Sequence, residues 1–503
     1  MIPFKFKANT KCAAASGIAL LAASLLSATA WAAPTARITA SRTSGPAPLA
    51  VHFDATGTTD SDSGVDTFRQ LGYRFSFGDA QSGTWTYSGL SRNEQIGGPL
   101  AAHVFDRAGT YTVQVTARNG AGAVSTASVT ITVQSADEAF AGNRTVCLSR
   151  SSDFSGCPSG AQQTTASSWP TFQNNYRYLL RAGQDFTSLG TMRLATSSGN
   201  GLSDVQVSSF GSGAKPITGE IRVDSGDAGD TAWPRRLTVA NLDARHILQY
   251  RGGFDLLFYR NDIVRGGSIW LADAFDWFLE NQPGSSWRNP ENNFIVENVI
   301  NPNYAVDGPT GRGTRLVMMG NSVDRTEQHN ARLWQSHKAV VAHNSLTGRI
   351  GDPYRHTLKM HSRGTDAIQS TLTLRRAQRQ RSSEIVIADN RLGSDSSNIN
   401  WLGATSPQNG VEAEGLEKVI WEDNQFRYGT NYARDISWAG RNMTERGNRN
   451  MTANRAASVG PGHDEALPAD WRGPYYTGQV SIKTWFAGQV ITVPRSPTGL
   501  AVE

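Results

Sequence analysis

Beyond position 11 the chain carries only five lysines (Lys215, Lys338, Lys359, Lys418 and Lys483), and its cations are otherwise arginine. Charged residues make up 18% of the 503 positions, below the roughly 25% of ordinary globular domains. The formal net charge of +5 falls to +2 once Lys5, Lys7 and Lys11 are set aside. Such a chain lacks the basic face that nucleic-acid phosphates demand, so nucleic acid is not expected as a partner. Long apolar runs are missing as well. GIALLAASLL, residues 17–26, is far short of the roughly 20 residues a bilayer span needs, and no later stretch is longer. Cysteine is limited to Cys12, Cys147 and Cys157. The zinc patterns His-x-His and His-Glu-x-x-His are absent.

What is present begins with three lysines, the short apolar run, and small residues at Ala30 and Ala32. That order reads as a secretory signal peptide over residues 1–32. The mature protein is expected to be exported and monomeric, in the extracellular space or periplasm. Cys12 lies before the apolar run, so it is not a lipid-anchor cysteine. Cys147 and Cys157, in CLSRSSDFSGC, suit a small disulfide loop in an oxidising compartment. Few charges, 50 glycines and short alternating apolar runs predict an all-β protein of more than one domain.

Residues 34–134 show period-2 alternation in ARITAS, LAVHFDA, YRFSFGD, TYTVQVTA and ASVTITV, separated by Gly, Ser and Asp turns. That is the pattern of a small antiparallel sandwich. HFDATGTTDSDSG, YRFSFGD and HVFDRAGTYTVQVTARNGAG also resemble the PKD domain family. Its pattern has a Phe-Asp-Ala strand, a Trp-x-Phe-Gly-Asp-Gly turn and a His-x-Tyr-x-x-x-Gly-x-Tyr-x-Val hairpin. Here Tyr73 stands near the tryptophan position, Ala80 replaces the last glycine and Phe105 the first tyrosine. The resemblance implies an immunoglobulin-like β-sandwich acting as a spacer or binding module, without catalysis. Asp54, Asp60 and Asp62 form an Asp-rich turn that could hold calcium; no cofactor is otherwise expected.

A linker at 135–145 leads to a different rhythm over 146–495. LLFYRND, FIVENVI, LVMMGNS, VVAHNSL, IVIADNR and VIWEDNQ each end an apolar run on an asparagine: Asn261, Asn298, Asn321, Asn344, Asn390 and Asn424. Three successive spacings are 23, 23 and 46 residues. A repeat of this length signals stacked coils that bury a shared core. LTVANLD, at Asn241, reads as an earlier coil, residues 146–235 as an N-terminal cap, and 496–503 as a tail. Alternation from each Asn points Leu257, Tyr259, Phe294, Val296, Val317, Met319, Val340, Ala342, Val386, Ala388 and Ile420 inward. Arg260, Glu297, His343, Asp389 and Asp423 then form an outward row. The coils resemble right-handed parallel β-helix proteins of the pectate-lyase-like superfamily. The resemblance implies a right-handed parallel β-helix with an internal asparagine ladder.

Five of the nine histidines (His329, His337, His343, His356 and His361) crowd into 327–364, with Lys338 and Lys359. Two registers are open. LKMHS can repeat VVAHN, bringing His361 near His343. Alternatively HTLKMH repeats HNARLW, stacking His356 on His329 and Lys359 on Arg332. Either gathers imidazole and cation, the set needed for β-elimination next to a uronate carboxylate. Arg332 would neutralise the carboxylate, and Lys359 or His343 would take the α-proton. His361 or His329 would protonate the leaving oxygen, with Glu327 orienting a neighbour. Arg260, Trp270, Asp273, Trp277, Arg355 and Arg363 are candidate substrate-binding residues.

These readings predict a secreted polysaccharide lyase acting on a uronate-containing polymer. A hydrolase is the second reading, with carboxylates from Asp273, Asp276 and Glu280, or from Asp389, Glu422 and Asp423. A non-catalytic polysaccharide-binding adhesin is the third.

Overall fold

The computed structural model describes residues 32–62, 64–226, 230–271, 289–302, 307–347, 356–361, 382–393, 416–427, 435–461 and 472–487. The signal-peptide reading of 1–32 falls almost entirely outside them, as do Asp273, Asp276, Trp277, Glu280, Arg355, Arg363 and the 496–503 tail. The protein is all-β, an immunoglobulin-like sandwich followed by a parallel β-helix.

In the sandwich, Leu49–Asp54 pairs antiparallel with Thr39–Ala40 and Leu100–Phe105. The facing sheet runs in the order Ser44–Pro46, Val124–Gln134, Gly109–Arg118, Gly72–Ser76, Glu94–Gly97. Alternate residues Val51, Phe53, Tyr73, Phe75, Val113 and Val115 fill the core between the sheets, as the period-2 pattern requires. The ring of His103 meets Asp79 at 3.0 Å, tying the hairpin to the Gly-Asp turn.

The solenoid begins at once. Thr145–Ser149 pairs in parallel with Arg177–Arg181, which pairs with Ser203–Phe210. Residues 146–235 are therefore coils rather than a separate cap. The disulfide between Cys147 and Cys157 forms. From Leu257 to His361 each coil contributes to three sheets. The first contains Leu257–Tyr259, Phe294–Val296, Val317–Met319 and Val340–Ala342, stacked in one register. The second is short, as in Val299–Ile300 and Ser322–Val323. The third contains Asp243–Gln249, Ile269–Leu271, Thr310–Thr314, Ala331–His337 and Leu358–His361.

Between the first and second sheets runs the asparagine ladder. Asn298, Asn321, Asn344, Asn390 and Asn424 are each at most 1% exposed. Asn344 Oδ1 accepts from both the backbone N–H and the side-chain amide of Asn321, each at 2.9 Å. The same pair of bonds repeats from Asn261 to Asn448. Buried amides thus supply partners for backbone groups that the corner would otherwise leave bare. Asn241 is not a rung. It stands one place earlier, at φ 57°, and the backbone N–H of Leu242 instead bonds Asn261 Oδ1.

The inward and outward assignments are reversed on the first sheet. The residue before each ladder Asn is left-handed: Arg260, Glu297, His343, Asp389 and Asp423 all have φ of 53–58°. That turn breaks strand alternation, so one step is lost between the Asn and the strand. Phe258, Ile295, Met318, Val341, Ile387 and Trp421 face the solenoid core. Leu257, Tyr259, Phe294, Val296, Val317 and Met319 face outward, against Ala50, Phe68, Trp85, Leu100 and Ala102 of the sandwich. At Gly320 the fit leaves no room for a side chain: an added Cβ would sit 2.6 Å from the Trp85 ring.

The sandwich is therefore docked on the β-helix instead of spacing it from another body. Asp54 is taken up in this contact, accepting from Lys338 Nζ at 2.6 Å, and His52 Nε2 meets the Lys338 carbonyl at 2.9 Å. Asp60 and Asp62 accept from nearby backbone N–H groups of their own turn. The short helix Ile482–Phe486 closes the seam, Lys483 bridging Asp389 and Asp423.

Candidate functional site

The window of five histidines is divided between two faces of the solenoid. His343 is 1% exposed, stacked on Trp85 with Nδ1 3.0 Å from Ser88 Oγ. Burial pushes its pKa down to about 3, with Lys483 and Arg92 adding to the effect. It lies beneath the sandwich and cannot reach a substrate. Glu297, Asp389 and Asp423 of the expected groove row are held in the same seam, with side chains 10%, 7% and 15% exposed. Arg260 pairs with Glu297 at 2.7 Å and with Asp106 at 2.9 Å and keeps 37% of its side chain exposed, on the first sheet and away from the histidines of the third. Asp389 and Glu422 are buried in the same seam, and burial raises their pKa values to about 6 and about 7. That removes them, and their neighbour Asp423, as a hydrolytic pair. His337 sits at the corner, its Nδ1 2.8 Å from Ser383 Oγ.

The third sheet holds the other half of the window. Here the second register is adopted: Ala331 pairs with Leu358, Arg332 with Lys359, Leu333 with Met360 and Trp334 with His361. Leu333, Leu358 and Met360 enter the core, so alternation turns Arg332 and Lys359 outward. Parallel pairing then aligns Leu248, Trp270, Thr310, Arg332 and Lys359 in one row, about 4.8 Å apart from coil to coil. The Trp270 ring lies edge-on to His246 at 5.0 Å.

Around Arg332 the polar groups are fixed. Its Nη1 lies 3.3 Å from Asp307 Oδ2, and its guanidinium stands 4.0 Å from the Trp334 ring centroid. Arg312 approaches the same ring at 5.3 Å, so two cations share one indole. The other oxygen of Asp307 accepts from the His329 backbone N–H at 3.0 Å. The carboxylate that orients Arg332 is thus Asp307, and Glu327 is a half-buried neighbour in the preceding turn. Asp307 was legible only through register. It precedes Gly308, where an added Cβ would lie 2.0 Å from the Asn330 carbonyl, so the chain passes close enough to reach Arg332.

His329 and His356 stack with centroids 4.9 Å apart. The His356 backbone N–H donates to His329 Nδ1 at 2.9 Å. An Nδ1 that accepts carries no proton, which places the proton of neutral His329 on Nε2. Lys359, paired in register with Arg332, is 6% exposed.

Among the described residues no group of three or more His, Cys, Asp or Glu converges for a metal ion. Nor, among them, is any helix long and apolar enough to cross a membrane.

This arrangement is a cationic and aromatic face on one sheet of a β-helix that carries a docked β-sandwich. The PKD domain family matches residues 31–133, so the sandwich is a PKD domain. No curated protein matches the chain. Among solved structures it is similar to one from a study of promiscuous carbohydrate-binding modules of the β-sandwich superfamily, at 23% identity and TM-score 0.17. That likeness covers 22% of this chain and 42% of the other. A second is a family 28 exopolygalacturonase from Yersinia enterocolitica, at 10% identity and TM-score 0.23, covering 89% of this chain and 100% of that one. At these scores neither likeness bears on function, which rests on the chain's own residues.

Proposed function

We propose that the protein is exported and cleaves a uronate-containing polysaccharide by β-elimination on the third sheet. The observation that carries this reading is the pairing of Lys359 with Arg332 on adjacent strands, in line with Trp270.

Arg332, oriented by Asp307, binds the uronate carboxylate through its planar fork. Bringing that carboxylate beside Arg332 makes the α-proton more acidic, because the enediolate formed on its removal is stabilised by the cation. Lys359 in its neutral form takes the proton from C5. The electron pair forms the C4=C5 double bond, the C4–O bond breaks, and the leaving oxygen accepts a proton. His361, whose backbone pairs with Trp334, is the candidate acid; His329, 2% exposed and stacked on His356, supports the strand behind it. Trp270 supplies a flat apolar surface for a sugar ring further along the row.

The test is to incubate the protein with alginate, pectin, a glycosaminoglycan and a bacterial exopolysaccharide. A lyase generates ultraviolet absorbance from a carbon–carbon double bond conjugated to a carboxylate. New reducing ends without that absorbance indicate hydrolysis. Saturable binding with neither product leaves the protein a polysaccharide-binding adhesin.

A further inference from the structure

The outward face of the first sheet is covered at both ends, and the two covers leave a cleft where they meet. Over the first coils the disulfide-closed loop packs Phe154, Cys157 and Ala161 on Cys147, Leu179 and Phe210. From Leu257 and Tyr259 onward the PKD domain takes over. In between, the register carries the outward row from Leu179 through Ser208 and Ala240 to Tyr259. There the residues change character: Gln206, Ser208 and Asn241 stand where either cover would need apolar side chains.

The gap is a cleft of about 610 Å³, with Gln206 and Ser208 in its floor, Asp106 and Arg107 on the PKD side, and Asp137 and Pro158 opposite. Its size falls in the range of about 300–1,000 Å³ typical of small-ligand sites. Its polar groups are held in place before any ligand arrives. Arg177, 6% exposed, is fixed by Thr145 Oγ1 at 3.1 Å and Asp137 Oδ1 at 2.6 Å. The Gln206 amide, on a residue 7% exposed, donates to the Ala47 carbonyl at 3.2 Å. Asn241 Nδ2 reaches Ser208 Oγ at 3.4 Å.

We propose that this cleft binds a short oligosaccharide, at a place separate from the third-sheet site. Amide, hydroxyl, guanidinium and carboxylate groups alternate around it, which suits sugar hydroxyls that donate and accept together. Arg177 is matched by Asp137 and Arg260 by Asp106, and Arg107 bonds Gln81, so the lining lacks the cluster of unopposed cations that a phosphate-rich ligand calls for.

The experiment is calorimetric titration of the full chain carrying Arg332→Ala and Lys359→Ala, which disables the third-sheet site. Two trisaccharides serve as probes, one of neutral hexoses and one of uronates. Saturable binding of at least one is expected. Adding Gln206→Ala should weaken it by about tenfold, and adding Ser208→Trp should abolish it. Circular dichroism checks the fold of each variant, and Gln206→Ala decides alone where Ser208→Trp does not fold. Absence of binding to both probes, or binding unchanged by the cleft substitutions, overturns the proposal. Either result leaves the lyase assay on the unsubstituted protein to be judged separately.

Discussion

The imidazole of His343 lies flat on the indole of Trp85, ring centroids 4.9 Å apart and planes 10° from parallel. One ring belongs to the solenoid and the other to the PKD domain. Their stacking closes the face on which a substrate groove was expected and turns the two domains into one packed body. It also makes the interface open to test.

Trp85 is 5% exposed and packs into the shared apolar cluster. Replacing it with alanine leaves a cavity there, at a cost of about 3–5 kcal/mol. Chemical denaturation should show that loss, while any polysaccharide cleavage at the third sheet is retained below the melting temperature.

Removing residues 32–134 altogether bares Leu257, Phe294, Val317, Val340, Val386 and Ile420, which the sandwich covers. A continuous apolar strip of this kind drives association. The truncated chain is expected to aggregate or oligomerise, and light scattering against the full chain checks this.

Burial holds the folded-state pKa of His343 at about 3, against the ordinary 6.5. The unfolded chain therefore binds the proton first as pH falls, and the folded state loses stability through the window from 6.5 down to 3. Asp389 and Glu422 act in the opposite sense, because burial raises their pKa values. Their effect is stability present at low pH and lost as pH rises through about 6 and about 7. A single-residue comparison separates the two. In His343→Gln the stability of the protein should fall less steeply below pH 6.5, by up to about 1.4 kcal/mol per pH unit. Denaturant titrations at several pH values measure the difference in slope.

Asn344→Ala removes the acceptor for two Asn321 donors, both buried, and the donor to the Met318 carbonyl. Each buried group left without a partner costs about 1–3 kcal/mol. A loss of several kcal/mol is expected on thermal unfolding, far larger than for the same change at an exposed asparagine.

At the third sheet, Lys359→Ala should lower kcat by about 10²–10⁴, the usual contribution of a positioned base. Asp307→Asn, which leaves the shape but weakens the hold on Arg332, should lower kcat/KM by roughly tenfold. Lyase rates on the responsive polymer check both, with unchanged circular dichroism as the control.

Much of the fold was legible along the chain. The spacing of 23 between Asn298, Asn321 and Asn344 reflects one coil per repeat, and a buried amide is the side chain that can bond to its copy above and below. The PKD motif residues and the cysteine pair were legible for the same reason, since their partners lie close in sequence. A further signal was present but misread: VMM, VVA and IVIA are apolar at consecutive positions, as strands buried on both faces are. The third-sheet site was half legible. Arg332 over Lys359 followed from one of two open registers, whereas Asp307 has no motif and is defined only by where its coil passes.

By itself the sequence determined that coils stack, most of the ladder from Asn261 to Asn424, and that a sandwich precedes them, because all three depend on local periodicity. Asn448 is a rung that only the structure shows. Tertiary structure alone decided which face stays open. A left-handed residue at the corner shifts inside to outside by one step, and a second domain then covers the shifted face. Neither event leaves a trace in the spacing of residues, since both depend on what the surface meets once the chain has wound.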